Sequence, residues 1–572
     1  MRSLNFSFRP LAACPRLVSD GDGESPSSAG VGAPQMATRS AKLGGSAGAV
    51  LDYLKDDERV LDYYADDEDG LAFKTVWGNL GRELGLEAGV TREQWSELFE
   101  GHWNGEQVTK TGYRKSIDPE TGEAVITSGV RTPMIDIVFA VPKGVSELYA
   151  RAATQEQADA IGAAVFAAAQ LAWTEGVQNH ARVARVRTQD GSVGTHVQER
   201  VLADLLCTPA LQFTARPTQD TVDRGAPADP HIHVHCATFT ASQVGGKWYT
   251  IDEAGIKRTA EYRDQLFMGE LARQMELLGH EMDYVDFDSS RSGRVTFEPK
   301  ASDAGLRTFW SSNHERTFGL ARTFEAKYGR PPTDQEMANL MKVSRGKKAE
   351  KEMDARPTRS RWIDDAREQG YEARDVSPHD LRHSSLAARE AELYRRLMAP
   401  KGLVREDATF TGDTIRPALV RCAVGLGMSW EEINDYETKI REQLVSLRPA
   451  SEDRFSLYTT KVQLAKERFI TDRRAELAAT ALLRVSQADI AAAIAAQPLV
   501  LDREQRSAVT AACPSSGWVH ISGEAGSGKT TTSKVIVDAH RRADPTVQVV
   551  AVSVAAKVAA DYAKKLETPL YG

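Results

Sequence analysis

The stretch Asp229-Pro-His231-Ile-His233-Val-His235-Cys-Ala-Thr-Phe-Thr240 decides how the first half of the chain is read. Alternate side chains of a β-strand share one face. His231, His233 and His235 therefore project together, with Ile232, Val234 and Cys236 packing behind them. Neutral imidazoles grouped in this way bind a divalent cation readily. A single histidine on a strand is usually a satisfied polar group, whereas three at period two are hard to explain so. The pattern names neither the metal nor the reaction, because other metallohydrolases also place His-x-His on a strand.

Outward from this strand, helical and extended patterns alternate. Met134-Ile-Asp-Ile-Val-Phe-Ala-Val-Pro142 reads as a buried strand, apolar but for Asp136. Val145 to about Arg187 reads as one long Ala-rich helix. Strand-like pieces follow at Gly191–Val197, Ala210–Thr214 and Lys247–Thr250, and Tyr262–Leu278 has an amphipathic helical pattern. Strands and helices mixed in this way indicate an α+β domain. Residues 300–370 are charged and helical, and 375–490 read as mostly helical without obvious chemistry. The leader 1–40, rich in Ser, Gly, Ala and Pro, is expected to be disordered, and Met36 is a plausible alternative start. The expected organisation is a leader at 1–40, an α+β domain at 41–370, a helical linker at 371–490 and a partial P-loop domain at 491–572.

Composition limits the classes of function. A chain of 572 residues with 41% hydrophobic and 27% charged residues can bury more than one core. Its five cysteines, Cys14, Cys207, Cys236, Cys422 and Cys513, lack zinc-finger or redox spacing and suggest reduced thiols in the cytoplasm. No run of about 18 apolar residues appears, so no membrane insertion is expected. The net charge of -8 weighs mildly against nucleic acid, but basic clusters at Arg182–Arg187, Arg345–Lys351 and Arg356–Arg361 leave the question to local distribution.

A second motif lies near the C-terminal end. Gly523-Glu-Ala-Gly526-Ser-Gly528-Lys529-Thr530 satisfies G-x-x-x-x-G-K-[ST], with strand-like Trp518–Ile521 before it and a helical run, Thr531–His540, after it. The glycines let backbone N–H groups face phosphates, and the helix N-terminus adds its dipole. Lys529 would reach the β- and γ-phosphates of ATP, and the Thr530 hydroxyl would ligate Mg²⁺. Gln505, in Leu501-Asp-Arg-Glu-Gln505, resembles the adenine-reading glutamine of superfamily 1 helicases. Val547–Val552 reads as the next strand, and Ser553–Ala560 resembles the following helicase segment. A Walker B carboxylate, an arginine finger and a second motor lobe are not found, so unwinding by this chain alone is not expected.

Tyrosines precede the histidine strand, in Gly48-Ala-Val-Leu-Asp-Tyr53 and Val-Leu-Asp-Tyr63-Tyr64. With Trp77-Gly78, Asp136, Pro142-Lys143, the His-x-His strand and Lys247-Trp248, their order resembles the conjugative relaxases of the TrwC/TraI (MobF) type. That family also carries a RecD-like superfamily 1 helicase. The resemblance implies a palm of antiparallel strands around a histidine-bound divalent metal, Mg, Mn or Zn. It implies that Tyr53 attacks a scissile phosphate at an origin of transfer, forming a 5′-phosphotyrosine and a free 3′-hydroxyl. Tyr63 or Tyr64 would occupy the second tyrosine position, and Asp136 would orient a histidine or help activate the tyrosine. The implied partners are single-stranded or hairpin origin DNA and ATP, with a conjugation coupling protein and accessory DNA-binding proteins.

Three departures stand out. Ala215 occupies the place where the family has a further metal histidine, so His231 is expected to complete the set with His233 and His235; His180 and His196 are the alternatives. The family's Pro-Lys-Ser turn is Pro142-Lys143-Gly144. The 35 residues before Met36 also set Tyr53 far from the N-terminus. Rival readings are a degenerate relaxase kept as a DNA-binding module, a DNA-dependent ATPase, and a water-using metallohydrolase.

Overall fold

The structure, a computed structural model, describes residues 4–7 and 38–568 apart from 44–45, 55–70, 110, 118–123, 131–133, 189–195, 216–227, 286, 291–292, 334–335, 338, 341–342, 344–358, 369, 372–380, 382–383, 451–454, 480–484, 499, 514–516, 525 and 554–555. Two compact units emerge, one of Gly30–Thr459 and one joining Met1–Ala29 to Thr460–Gly572.

In the larger unit, strand β1 (Thr38–Lys42) leads into helix α1 (Ala47–Leu54), and α2 spans Arg92–Phe99. Strand β2 (Met134–Ala140) is followed by α3 (Lys143–Arg151) and α4 (Gln155–Gly176). A hairpin of β3 (Arg182–Thr188) and β4 (His196–Leu202) precedes β5 (Cys207–Thr214) and β6 (Pro230–Phe239). The central sheet has the order β5-β6-β2-β1 and is antiparallel throughout. The pattern of elements led to the α+β class, and the resemblance implied the palm of antiparallel strands that the sheet forms.

The alternation of side chains gives the sheet two different faces. Ile137 and Phe139 of β2, with Ile232, Val234 and Cys236 of β6, belong to a core shared with α4 and with helix α5 (Ala260–Leu277). The opposite face offers Met134, Ala210, Ala237 and Phe239 to Val50, Leu51 and Leu54 of α1 and to Trp95 of α2. One buried indole is satisfied on each face: Trp173 Nε1 donates to Thr238 Oγ1 and Trp95 Nε1 to Thr208 Oγ1, each at 3.0 Å. Gly78, at φ +95°, shows why glycine is needed in its turn, since an added Cβ would lie 2.1 Å from the Leu205 carbonyl oxygen.

Several sequence expectations change. The single long helix from Val145 to Arg187 is two helices: Ala152 ends the first, and Thr154 caps the second by accepting from Gln157 N. Arg182–Thr188 is a strand, because alternation in Arg-Val-Ala-Arg-Val pairs with β4 once the helix ends at Gly176. The strand expected at Gly191–Val197 starts at His196, and 191–195 lie outside the described residues. Gln155–His180 is long and apolar enough to cross a membrane, yet 56% of its most apolar window is buried, as in a core helix.

The helices α6 (Ser312–Tyr328), α7 (Arg359–Glu368), α8 (Leu386–Met398), α9 (Gly412–Ala423) and α10 (Trp430–Gln443) follow. Leu393, Leu397, Ile415, Leu419 and Ile440 join the same core as Phe267 and Leu271 of α5, so residues up to Thr459 pack with the palm instead of forming a separate linker. Of the leader expected to be disordered, only Leu4–Ser7 and Thr38–Ser40 fall among the described residues, and both are strands.

In the smaller unit, α11 (Gln487–Ala495), α12 (Arg503–Ala512), β7 (Trp518–Ile521) and α13 (Lys529–Ala543) surround a core of Ile490, Val509, Val535 and Ile536, while Leu566 of α14 (Ala556–Leu566) packs with Val537 and Val549. The expected strand at Val547–Val552 pairs with no other strand among the described residues; Val552 is 73% exposed.

Candidate metal and nucleotide sites

Antiparallel pairing sets the constellation on β6. His233 lies across from Gln212 on one side and Ala140 on the other, His235 across from Ala210 and Val138, and Ala237 across from Asp136. Cross-strand partners share a face, so His233, His235, Asp136 and Gln212 share the face that α1 covers. Their exposures are 8%, 4%, 6% and 5%, so each polar group must find a partner inside the protein.

Two of these partners orient the imidazoles. His235 Nδ1 is 2.7 Å from Asp136 Oδ2, and His233 Nδ1 is 2.9 Å from the carbonyl oxygen of His231. An Nδ1–H donated to an oxygen is the tautomer that keeps the lone pair on Nε2, the arrangement seen where a second group orients a metal-binding histidine. Burial, with His235 adjoining, pushes the His233 imidazole down to about 3, which keeps it neutral in the folded protein. Asp136 Oδ1 is buried without a hydrogen-bond partner among the described residues.

The rings run in file along the strand. The His231–His233 centroids are 5.1 Å apart and nearly stacked, and the His233–His235 centroids are 4.9 Å apart and edge-on. Residues i and i+4 of a strand stand about 13 Å apart along the backbone, so His231 and His235 flank His233. Among the described residues, no three His, Cys, Asp or Glu side chains converge to hold one ion. The expected triad is therefore a file, with His233 and His235 as its buried pair. The register slips between Gln212 and Thr214, which gives β6 an extra residue around His231 and Ile232. Such bulges re-aim a side chain, a departure from strict period two that the sequence did not signal.

The alternatives for a third ligand are placed differently. His180 packs edge-on to Tyr262 at 5.7 Å. His196 is the first residue of β4. Ala215 directly follows β5 and donates its backbone N–H to the Asp229 carbonyl at 2.8 Å. Tyr53 lies in the last turn of α1. Tyr63 and Tyr64 lie outside the described residues.

The base of the histidine strand is fastened by groups that sequence reading passed over. Lys143 Nζ donates to the Pro230 carbonyl at 2.6 Å, Ser312 N and Oγ donate to Asp229, and Trp362 Nε1 donates to the Ala228 carbonyl at 2.8 Å. The Pro-Lys-Gly turn also finds its reason here. A Cβ on Gly144 would lie 2.4 Å from Glu298 Oε2 and 2.8 Å from Ser302 Oγ, so these side chains fill the space a serine would need. Burial lowers the Lys143 ammonium to about 8, despite Asp229, Glu298 and Glu147 nearby.

In the smaller unit, Gly526 and Gly528 adopt φ of +85° and +75°, turning the loop toward the start of α13 at Lys529. Lys529 Nζ donates to the carbonyls of Gly523 and Glu524, each at 2.6 Å. The next residue, Thr530, follows in the first turn, where a hydroxyl could meet a phosphate-bound cation. Gln505 shares a capping box with Asp502 and donates from Nε2 to the Ser527 carbonyl at 3.2 Å, so its amide touches the loop itself.

Comparison with known proteins gives these sites a context. The TrwC relaxase model matches residues 47–369, and an AAA domain model matches 500–569. No curated protein matches the chain. Solved structures that the chain matches include a metal-bound complex of conjugative relaxase TrwC with oriT DNA, 19% identical over 59% of this chain and 100% of that one, TM-score 0.43. A copper-bound TrwC complex with oriT DNA is 21% identical over 59% and 100% of the two chains, TM-score 0.42. A TrwC complex with a 27-mer bearing the recognition hairpin and cleavage site is 18% identical over the same shares, TM-score 0.42. With the relaxase model spanning more than half of its residues, the chain belongs to the TrwC relaxase family.

Proposed function

We propose that this protein nicks one DNA strand at a transfer origin by tyrosine transesterification and stays attached to the 5′ end. The observation that carries the reading is the buried Asp136–His235 pair beside neutral His233, on the sheet face that α1 and Tyr53's backbone cover. The Tyr53 oxygen would bond to the scissile phosphorus while the bond from phosphorus to the 3′ oxygen breaks. The phenol proton leaves to a base, and the 3′ oxygen takes up a proton as it departs. Asp136 suits the role of acceptor, since Oδ2 orients His235 while Oδ1 is buried without a partner among the described residues.

His233 and His235 would hold a divalent metal through Nε2, with His231 as the third donor once its ring turns toward them. When bound, the metal would withdraw charge from the non-bridging phosphate oxygens. The chain's own residues keep the His233 imidazole neutral and hold both rings through Nδ1, His233 by the His231 carbonyl and His235 by Asp136. Tyr63 and Tyr64 are proposed for the second tyrosine position, used in strand rejoining. The substrate would be single-stranded or hairpin origin DNA in the cytoplasm.

The P-loop, through Gly523, Gly526, Gly528, Lys529 and Thr530, would bind ATP with Mg²⁺, and Gln505 would read the adenine or hold the loop. The test mixes the full chain with labelled single-stranded origin oligonucleotides and Mg²⁺ or Mn²⁺, then seeks a protein–DNA adduct on a denaturing gel. Tyr53→Phe and His233→Ala should abolish it. The non-converging histidine file favours a second reading, a DNA-binding module without cleavage; tight hairpin binding with no adduct in either metal would select it.

A further inference from the structure

Gln212 has no part in the chemistry proposed above, yet it sits where the histidine strand meets the tyrosine helix. It lies directly across from His233 in the β5–β6 register and is 5% exposed. Its Nε2 donates to the Leu54 carbonyl at 3.1 Å, a buried bond between positions 158 residues apart. Leu54 ends α1 and follows Tyr53. A helix leaves its last four carbonyls without intrahelical partners, and one left unpaired in a core is costly.

α1 has eight residues, too few to be stable alone. It depends on the burial of Val50, Leu51 and Leu54. Its Asp52–Arg92 pair is more than half exposed and contributes little to placement. Apolar packing is non-directional and holds the helix against the sheet without setting its position along the surface. A buried amide-to-carbonyl bond has direction and length. It ties the last turn of α1 to the strand position opposite His233.

We propose that Gln212 is a positioning residue that sets the last turn of α1, and with it Tyr53, against the histidine pair. This rests on the reading of Tyr53 as nucleophile. The consequence is a division of labour: DNA affinity should not depend on Gln212, whereas attack geometry should.

The test uses the full chain with Gln212→Glu, which keeps the shape but points an acceptor at the carbonyl, and Gln212→Leu, which removes the donor without charge. Hydrogen exchange of peptides covering Ala47–Leu54 and Met134–Ala140 reads the tie directly. Adduct formation at saturating origin oligonucleotide, with oligonucleotide affinity measured separately, reads its consequence. Exchange in α1 should quicken about tenfold while Met134–Ala140 stays protected. The adduct rate should fall about tenfold or more with affinity unchanged.

Unaltered exchange in α1 in both variants overturns the proposal. A loosened α1 with a parental adduct rate also overturns it, because position would then not matter. If the parent itself forms no adduct on origin DNA, the nicking reading fails, and exchange alone decides the tie. Loss of protection in both segments would mean a general structural role and would overturn the positioning claim.

Discussion

Acidification should destabilise the larger unit through His233 in particular. In the fold this imidazole is held near 3 by burial and by His235, against an ordinary value of 6.5. The unfolded chain therefore binds a proton that the folded chain refuses wherever the pH lies between these values. Stability from this residue is present above 6.5 and is lost as pH falls toward 3. At 1.36 kcal/mol per unit, moving from pH 7 to pH 5 should remove about 2 kcal/mol. The assay is urea unfolding of the full chain in EDTA, followed by tryptophan fluorescence, with His233→Gln alongside. The signal reports on the palm because Trp95, Trp173, Trp310 and Trp362 are fully buried there. The variant should show a pH dependence shallower by about that 2 kcal/mol. Equal losses in parent and variant would refute the claim that His233 is buried neutral.

Other perturbations follow from the same geometry. Asp136→Asn keeps the shape but weakens the bond that orients His235, and calorimetry should show Mn²⁺ affinity falling about 10- to 100-fold with the fold intact. Gly78→Ala forces a Cβ against the Leu205 carbonyl at φ +95°, and should lower stability by more than about 3 kcal/mol in urea unfolding. Arg151→Met leaves buried Glu147 without its 2.5 Å partner, costing about 3–5 kcal/mol by the same assay, and adding Glu147→Gln should recover part of the loss. Lys529→Ala removes the cation of the phosphate loop and should abolish binding of a fluorescent ATP analogue in titration.

Local chemical patterns were legible from the residues alone. An apolar run broken only by Asp136 marked Met134–Ala140 as a strand, period-two histidines marked Pro230–Phe239, and glycine spacing with a following helix marked the phosphate loop. What escaped the sequence depends on contacts between distant segments. The break at Ala152–Thr154 is hidden in an Ala-rich run, because only the Thr154–Gln157 cap distinguishes it. The bulge beside His231 arises from pairing with Gln212–Thr214, which no single strand encodes. Gln212 gave no signal because its partner is a backbone carbonyl 158 residues away. The helices between Leu386 and Gln443 looked featureless because their apolar faces serve the palm's core. The value of Gly144 likewise depends on Glu298 and Ser302 reaching its turn.

The central claim, a tyrosine on α1 attacking DNA beside the histidine pair, is tested most directly by locating the covalent bond. The protein is incubated with origin oligonucleotide and Mn²⁺, digested, and the nucleotide-bearing peptide is sequenced by mass spectrometry. The account predicts a phosphodiester on the Tyr53 oxygen, absent in Tyr53→Phe and His233→Ala. Cleaved DNA with no peptide attached, or attachment at another residue while Tyr53 stays free, would contradict it.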